Sequence, residues 1–219
     1  MARIVVDNRE IEAEEGVNLL QTCLDQGIYI PNLCYLKGKE EPHASCRLCF
    51  VELEGTTAPV PSCAVRVKDG MVARTDTPGV RELQKTAMRL LLSVHKVDCA
   101  HCQANKRCEL QRIARFLRLG LKPSGLPKVL KEPDLVQEHP AIDYYPNRCV
   151  LCARCVRTCR SMDGVAVMTF AKRGFDTVLS FYGTGEQPEL ACEECRACVD
   201  VCPVGALTLR NAAKGLAGC

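Results

Sequence analysis

Two cysteine runs near the carboxyl end, Cys149-x2-Cys152-x2-Cys155-x3-Cys159 and Cys192-x2-Cys195-x2-Cys198-x3-Cys202-Pro203, carry the clearest chemistry of this chain. Thiolates are soft ligands for iron, and this spacing serves a pair of cubane [4Fe–4S] clusters. Three closely spaced sulfurs converge on three corners of one cube, while the fourth lies too far along the chain and reaches the neighbouring cube. Cys149, Cys152, Cys155 and Cys202 are therefore assigned to one cluster, and Cys192, Cys195, Cys198 and Cys159 to the other. Zinc suits the runs poorly, because four cysteines within eleven residues, twice over, are crowded for two closed tetrahedra.

Two further groups precede these. Cys34-x11-Cys46-x2-Cys49-x13-Cys63 contains the core Cys46-Arg-Leu-Cys49, short enough for two thiolates on one iron. Its outer spacings differ from the plant-type pattern, so the residues alone leave a [2Fe–2S] cluster and a zinc knuckle both open. His95-x3-Cys99-x2-Cys102-x5-Cys108 is the weaker signal. A histidine ending an apolar helix can equally be a buried or capping residue, and His101 competes with His95 for the same role. Of the remaining cysteines, Cys23 reads as a small buried apolar residue and Cys219 as an inert tail thiol.

Seventeen cysteines in 219 residues demand either disulfides or metal. The amino terminus has an acidic residue, Asp7, where a signal peptide needs its apolar stretch, and no apolar run reaches membrane-spanning length. A cytoplasmic chain is expected, in which thiols stay reduced and available for metal. Aromatic content is low and tryptophan is absent, which favours small domains stapled by clusters over one large core. The formal charge of +3 counts every cysteine as neutral. Four loaded clusters would add about −7 and bring the chain to about −4, so the basic residues read as compensation and not as a nucleic-acid surface. Gln103 to Lys131 holds eight Lys or Arg against Glu109 alone, a solvated helix face or a docking surface.

The positioning elements follow from pattern. Residues 1–78 read as a β-rich domain. Arg3–Val6 and Glu10–Ala13 form a hairpin around Asp7-Asn8, and Phe50–Leu53 and Met71–Thr75 add strands. A helix over Val17–Gln26 has Val17, Leu20, Cys23 and Leu24 as its apolar face and Gly27 as its end. Residues 79–140 read as a helical section closing in a proline-punctuated connector. Thr77-Pro78 starts its helix, whose apolar face is Val80, Leu83, Ala87, Leu90, Leu91 and Val94. Residues 141–210 hold the cysteine repeat, with apolar stretches Val165–Phe170 and Ala206–Leu209, an inserted hairpin over Arg173–Glu189 and a turn at Gly183-Thr-Gly185; residues 211–219 are a tail. No Gly-x-Gly-x-x-Gly dinucleotide signature is present.

The segment Ile28-Tyr-Ile-Pro-Asn-Leu-Cys34 followed by Cys46-Arg-Leu-Cys49 resembles the amino-terminal ferredoxin domain of the large iron–sulfur subunit of complex I and of iron-only hydrogenases. The resemblance implies an α+β chain: a β-grasp [2Fe–2S] domain, a small helical domain, and a bacterial-type 2x[4Fe–4S] ferredoxin domain. It implies that Cys34, Cys46, Cys49 and Cys63 hold [2Fe–2S] and that His95, Cys99, Cys102 and Cys108 hold a [4Fe–4S] cluster with one histidine. One departure is Ala44-Ser45 before Cys46, where relatives often carry glycine, so the loop there is expected to differ locally. Arg47, Arg154, Arg157, Arg160 and Arg196 stand beside ligands and are candidates to tune potentials.

The chain stops 17 residues after Cys202, short of any hydrogen-activating or molybdopterin-type domain. It is therefore most similar to the stand-alone relay, or diaphorase small, subunit of NAD(P)-linked hydrogenases, electron-bifurcating kinds included. That likeness implies single electrons passing through four clusters, with no substrate-converting site in the chain. It implies as partners an FMN-bearing NAD(P)H oxidoreductase subunit, hydrogenase subunits of [NiFe] type and a small thioredoxin-like [2Fe–2S] subunit. A relay serving an NAD-linked formate dehydrogenase and a zinc-stabilised interaction protein are the alternatives.

Overall fold

The computed structural model describes residues 1–39, 41–122, 124–160, 166–182 and 192–210. The chain gathers into two compact units, Met1–Leu91 with Ile113–Gly120, and Leu92–Arg112 with Leu121–Cys219. Segment 79–140 is thus shared between the two.

In the first unit, β1 (Ala2–Val6) and β2 (Arg9–Ala13) pair antiparallel with Val6 opposite Arg9. Asp7 and Asn8 between them have φ of 49° and 65°, the left-handed pair that a two-residue hairpin turn requires and that these short polar side chains tolerate. Ala2, Ile4 and Val6 point into the core while Arg3 faces out, the period of two that a half-buried strand imposes. Helix α1 (Leu19–Asp25) begins two residues later than its apolar pattern suggests, because the Asn18 side chain accepts the Gln21 N–H at 3.2 Å and caps it. Its inward face is Leu19, Leu20, Thr22 and Cys23; Val17 and Leu24 are only partly buried. Gly27, at φ +74°, closes the helix with Ile28 N–H returning to Cys23 O at 2.8 Å.

Strands β3 (Phe50–Leu53), β4 (Val60–Pro61) and β5 (Val72–Arg74) complete a mixed sheet ordered β2-β1-β5-β3-β4, in which β1 and β5 run parallel. Asp7 locks that parallel pair by accepting the Thr75 N–H at 2.8 Å. Leu19, Leu20 and Cys23 of α1 join Ile4, Val6, Val51 and Ala73 of the sheet in one core with Cys49 and Cys63.

Helix α2 (Pro78–Ser93) starts as its sequence indicates, with the Val80 N–H donated to the Thr77 hydroxyl at 3.2 Å and proline at the first position. The expected apolar face holds only in part, however. Leu83 and Leu90 are 37% and 55% exposed, whereas Val80, Gln84, Ala87, Met88 and Leu92 are buried. A count of apolar residues misses Gln84, whose amide reaches the Phe50 carbonyl at 3.3 Å and so takes a core position. Helix α3 (Glu109–Leu117) contributes Phe116 to this unit, edge-on to Tyr29 at 4.7 Å and beneath the Arg81 guanidinium at 4.2 Å.

In the second unit, β6 (Ile142–Tyr144) pairs antiparallel with β9 (Leu207–Leu209), joining residues 142 and 209. Sequence pattern does not register β6, since three residues are too few to establish alternation. Helix α4 (Arg154–Arg160) packs against β7 (Met168–Ala171) and against α6 (Ala197–Asp200), which follows the short α5 (Cys192–Cys195). Strand β7 pairs with β8 (Val178–Phe181), so the hairpin begins earlier than Arg173. Its reversal sits at Lys172 and Gly174, both left-handed, and recruits the apolar stretch before it. The Gly183-Thr-Gly185 turn, Pro123 and Cys219 lie outside the described residues. Among the described residues no helix is long and apolar enough to cross a membrane.

Asn18 also donates its side-chain amide to the Cys63 carbonyl at 2.5 Å. Asn18→Ala is expected to lower stability by about 1 kcal/mol through the lost cap. A thermal transition of the metal-free chain that does not shift down would contradict this.

Candidate metal centres

Cys34, Cys46, Cys49 and Cys63 are all buried in the first unit. The close sulfur pairs are Cys34 with Cys46, 3.4 Å apart, and Cys49 with Cys63. Residues 46 and 49, close in sequence, thus fall in different sulfur pairs, because Cys49, just before β3, is turned toward Cys63. The turn is fixed at both ends. Ser62, fully buried, donates both its N–H and its hydroxyl to the Cys49 carbonyl at 2.8 Å, and Asn18 holds the Cys63 carbonyl. Ala44 and Arg47 adopt φ of 48° and 52°. The loop keeps a glycine-like conformation even where alanine stands, at about 1 kcal/mol. The Cys46 thiol donates to the Cys34 sulfur, and the amides of Cys46 and Ser45 also aim at it, which together hold Cys34 well below the usual thiol range; the donating thiols, Cys46 toward Cys34 and Cys49 toward Cys63, are pushed up.

In the second unit, the Leu110 and Gln111 amides at the start of α3 aim at the Cys108 sulfur, and Cys99 and Cys102 lie near enough to raise its pKa electrostatically after burial has done so. The 102–108 loop is braced by Gln111, which accepts the Lys106 N–H and donates to Asn105, both at 2.9 Å. His95 is 9% exposed, and burial lowers its pKa to about 4, so the ring is neutral, the form that binds metal. Its Nδ1 is buried without a hydrogen-bond partner. The competing His101 ring is 81% exposed and bonded to Asp98 at 2.9 Å. An orphaned neutral nitrogen suits a ligand; a solvated one bonded to a neighbouring carboxylate does not.

Cys149, Cys152, Cys155 and Cys202 line one cavity, closed otherwise by apolar groups including Val150, Phe170, Leu179 and Val204. Burial in that lining raises Cys149 to about 11 and Cys152 to about 12, and Cys155 also goes up. The Leu151 N–H donates to the Cys149 sulfur at 3.4 Å, within a loop where Leu151 and Ala153 are left-handed. Cys159, Cys192 and Cys195 are the neighbours that raise Cys198, after burial, to about 12. The Val167 N–H donates to Cys159 at 3.4 Å, and Arg196, left-handed at φ 49°, turns the chain between Cys195 and Cys198. The fold therefore places Cys202 with the first run and Cys159 with the second.

Among the described residues, no three His, Cys, Asp or Glu side chains converge as they would on a single ion. A multi-iron cluster asks for wider spacing, because its ligands are spread over two or four irons. Of the candidate arginines, Arg47 and Arg196 are exposed, and Arg154 acts electrostatically on Cys152. Sequence reasoning missed Lys131 and Tyr144. Lys131 lowers Cys149 electrostatically, and the fully buried Tyr144 turns its hydroxyl toward Cys149 while accepting the Leu179 N–H at 3.2 Å. Neither carries a metal-ligand signature, and only folding brings them there.

Three families match the chain in succession: a 2Fe-2S iron-sulfur cluster binding domain over residues 1–78, an NADH-ubiquinone oxidoreductase-G iron-sulfur binding region over 84–120, and the ferredoxin-like domain of NADH-quinone oxidoreductase subunit 3 over 139–208. A G-type NADH-quinone oxidoreductase subunit of Rhizobium meliloti (strain 1021) is 38% identical over 94% of this chain and 24% of its own length. The NADP-reducing hydrogenase subunit HndD of Solidesulfovibrio fructosivorans is 33% identical over 94% of this chain and 36% of its own. The chain thus spans 24% and 36% of the length of these two curated relatives. A chain in the crystal structure of an NAD+-reducing [NiFe]-hydrogenase in the H2-reduced state superposes with a TM-score of 0.82 at 27% identity, covering 96% of this chain and 88% of that one.

His95 supplies a pH test on the metal-free chain. Folded, it refuses a proton until about pH 4, whereas an unfolded imidazole binds one near pH 6.5. The unfolded state is therefore favoured as pH falls from about 6.5 toward 4, and His95 costs stability across that window. Thermal midpoints taken at about pH 7 and pH 5 should fall more steeply for the wild type than for His95→Gln; equal slopes would mean the ring is not buried.

Proposed function

We propose, for a chain that carries the iron–sulfur domains of NADH-quinone oxidoreductase G-like subunits and of NAD(P)-linked hydrogenase subunits, that it is a relay for single electrons between an FMN-bearing NAD(P)H-reactive subunit and a hydrogenase module. The observation that carries this reading is that four separate sets of soft ligands gather within one chain of 219 residues. A structural role is met by one metal; several redox centres in series are useful only for moving charge across a distance too long for one hop. Likeness along 88% of a chain of an NAD+-reducing [NiFe]-hydrogenase supports hydrogenase over formate dehydrogenase as the terminal module.

The residues divide the work as follows. Cys34, Cys46, Cys49 and Cys63, on a β-grasp scaffold, hold [2Fe–2S], with the Cys34–Cys46 pair on one iron and Cys49–Cys63 on the other. His95, Cys99, Cys102 and Cys108 hold a [4Fe–4S] cluster in a small helical module. Cys149, Cys152, Cys155 and Cys202 hold the third cluster, and Cys192, Cys195, Cys198 and Cys159 the fourth, in a ferredoxin-like domain. Bound in these places, the clusters supply reversible one-electron chemistry. The apolar lining around Cys149 and Cys152 excludes water, and the amides aimed at Cys34, Cys108, Cys149 and Cys159 stabilise negative charge on sulfur. The high thiol pKa values mean that loading releases protons, so metal uptake should strengthen as pH rises.

Protein purified without oxygen is expected to hold about fourteen irons and to show several paramagnetic centres after dithionite. Colourless protein carrying zinc would overturn the reading in favour of a zinc-stabilised interaction protein. Cys159→Ser should cost up to about four irons, and the signal lost should be the one also lost in Cys198→Ser. Loss of the signal shared with Cys152→Ser would show that each run serves its own cluster.

A further inference from the structure

Gly205 stands three residues after Cys202, in the turn that leads into β9. Its backbone is left-handed at φ +61°, which a turn glycine explains. A second demand is independent of the turn. A Cβ built on Gly205 would lie 2.8 Å from the Ala104 Cβ, 3.2 Å from the Cys102 Sγ and 3.3 Å from the Ala104 N. Carbon atoms rest at ~3.5–4.0 Å, so a side chain here must drive the Cys202 turn and the Cys99–Cys108 loop apart. The same two segments are tied beside this contact by the Glu109 N–H, which donates to the Pro203 carbonyl at 2.9 Å, and both contribute to the walls of one cavity. Gly174 has nearly the same φ, +60°, yet a Cβ there would meet nothing within 4 Å. Backbone strain and close approach are therefore separable in this chain.

We infer that Gly205 is a positioning residue of the relay: its missing side chain lets the Cys202 turn rest on the Cys102 sulfur, and this contact sets the separation between the His95/Cys99/Cys102/Cys108 centre and the Cys149/Cys152/Cys155/Cys202 centre. The inference rests on the relay reading. One electron is lost at one centre as it is gained at the other, with no proton moved and no bond made or broken in the protein. Separation is then a quantity the polypeptide controls, and here the absence of one methyl group lets the two segments pack closely.

The test uses the full chain as wild type, Gly205→Ala, Gly174→Ala and Ala104→Gly/Gly205→Ala, each loaded with iron and sulfide without oxygen and reduced with dithionite. Iron content is measured, and EPR power saturation reads the magnetic coupling between neighbouring reduced centres. Gly205→Ala is expected to weaken the coupling between these two centres. Gly174→Ala, with the same strain and no contact, should match the wild type. The double variant, which removes the shortest contact, 2.8 Å, but keeps the one at 3.2 Å to the Cys102 sulfur, should regain part of the coupling. Unchanged coupling in Gly205→Ala, an equal loss in Gly174→Ala, or no recovery in the double variant would overturn the inference. If Gly205→Ala does not load, recovery of iron and coupling in the double variant supports it and failure to recover overturns it. A wild-type chain that takes up no iron defeats the relay reading itself.

Discussion

A thiol buried among apolar side chains cannot readily become a thiolate unless positive charge arrives with it, and most of this structure follows from that constraint. Cys149 and Cys152 sit where burial lifts their pKa to about 11 and 12, and Cys198 is lifted as far. In such wells iron is the natural counter-charge, and metal binding becomes part of the folding free energy. The first centre solves the same problem differently. Its four sulfurs are paired, each pair sharing a proton, and Cys34 is held below the usual thiol range because the Cys46 thiol donates to it and the Cys46 and Ser45 amides face it.

Holding sulfurs in these places costs backbone strain, and the strain is concentrated where the cysteines are. Ala44 and Arg47 flank Cys46, Lys106 lies between Cys102 and Cys108, Leu151 and Ala153 between Cys149 and Cys155, and Arg196 between Cys195 and Cys198. All are left-handed without being glycine, at ~1–2 kcal/mol each. A left-handed residue in a tight loop turns successive N–H groups to the same side, where they face an anion. Strain in these loops is thus coupled to the amides that reach sulfur. Regular structure supplies the anchors: the Asn18 cap ties α1 to the Cys63 turn, Ser62 clamps Cys49, and the start of α3 faces Cys108.

The two cysteine runs interleave because α4 packs against α6 in the second unit, which carries Cys159 to the Cys192 group and Cys202 to the Cys149 group. Exchange of the fourth cysteine makes each group of sulfurs depend on both runs.

The grouping of Cys202 with the Cys149 run and of Cys159 with the Cys192 run, the Asp7-Asn8 hairpin and the Thr77 cap were legible in the sequence, because each depends on residue type and local spacing. Sequence pattern misjudged the inward face of α2, where Gln84 buries and Leu83 and Leu90 do not, and missed β6, since burial of a polar group and pairing across 67 residues need partners that only folding supplies. That His95 is buried and His101 exposed is a matter of which ring loses its water on folding. Pairing of Cys34 with Cys46 and of Cys49 with Cys63, and the approach of Gly205 to Cys102, were likewise decided in three dimensions. Spacing along a chain states which sulfurs can meet; close packing between distant segments determines which ones do.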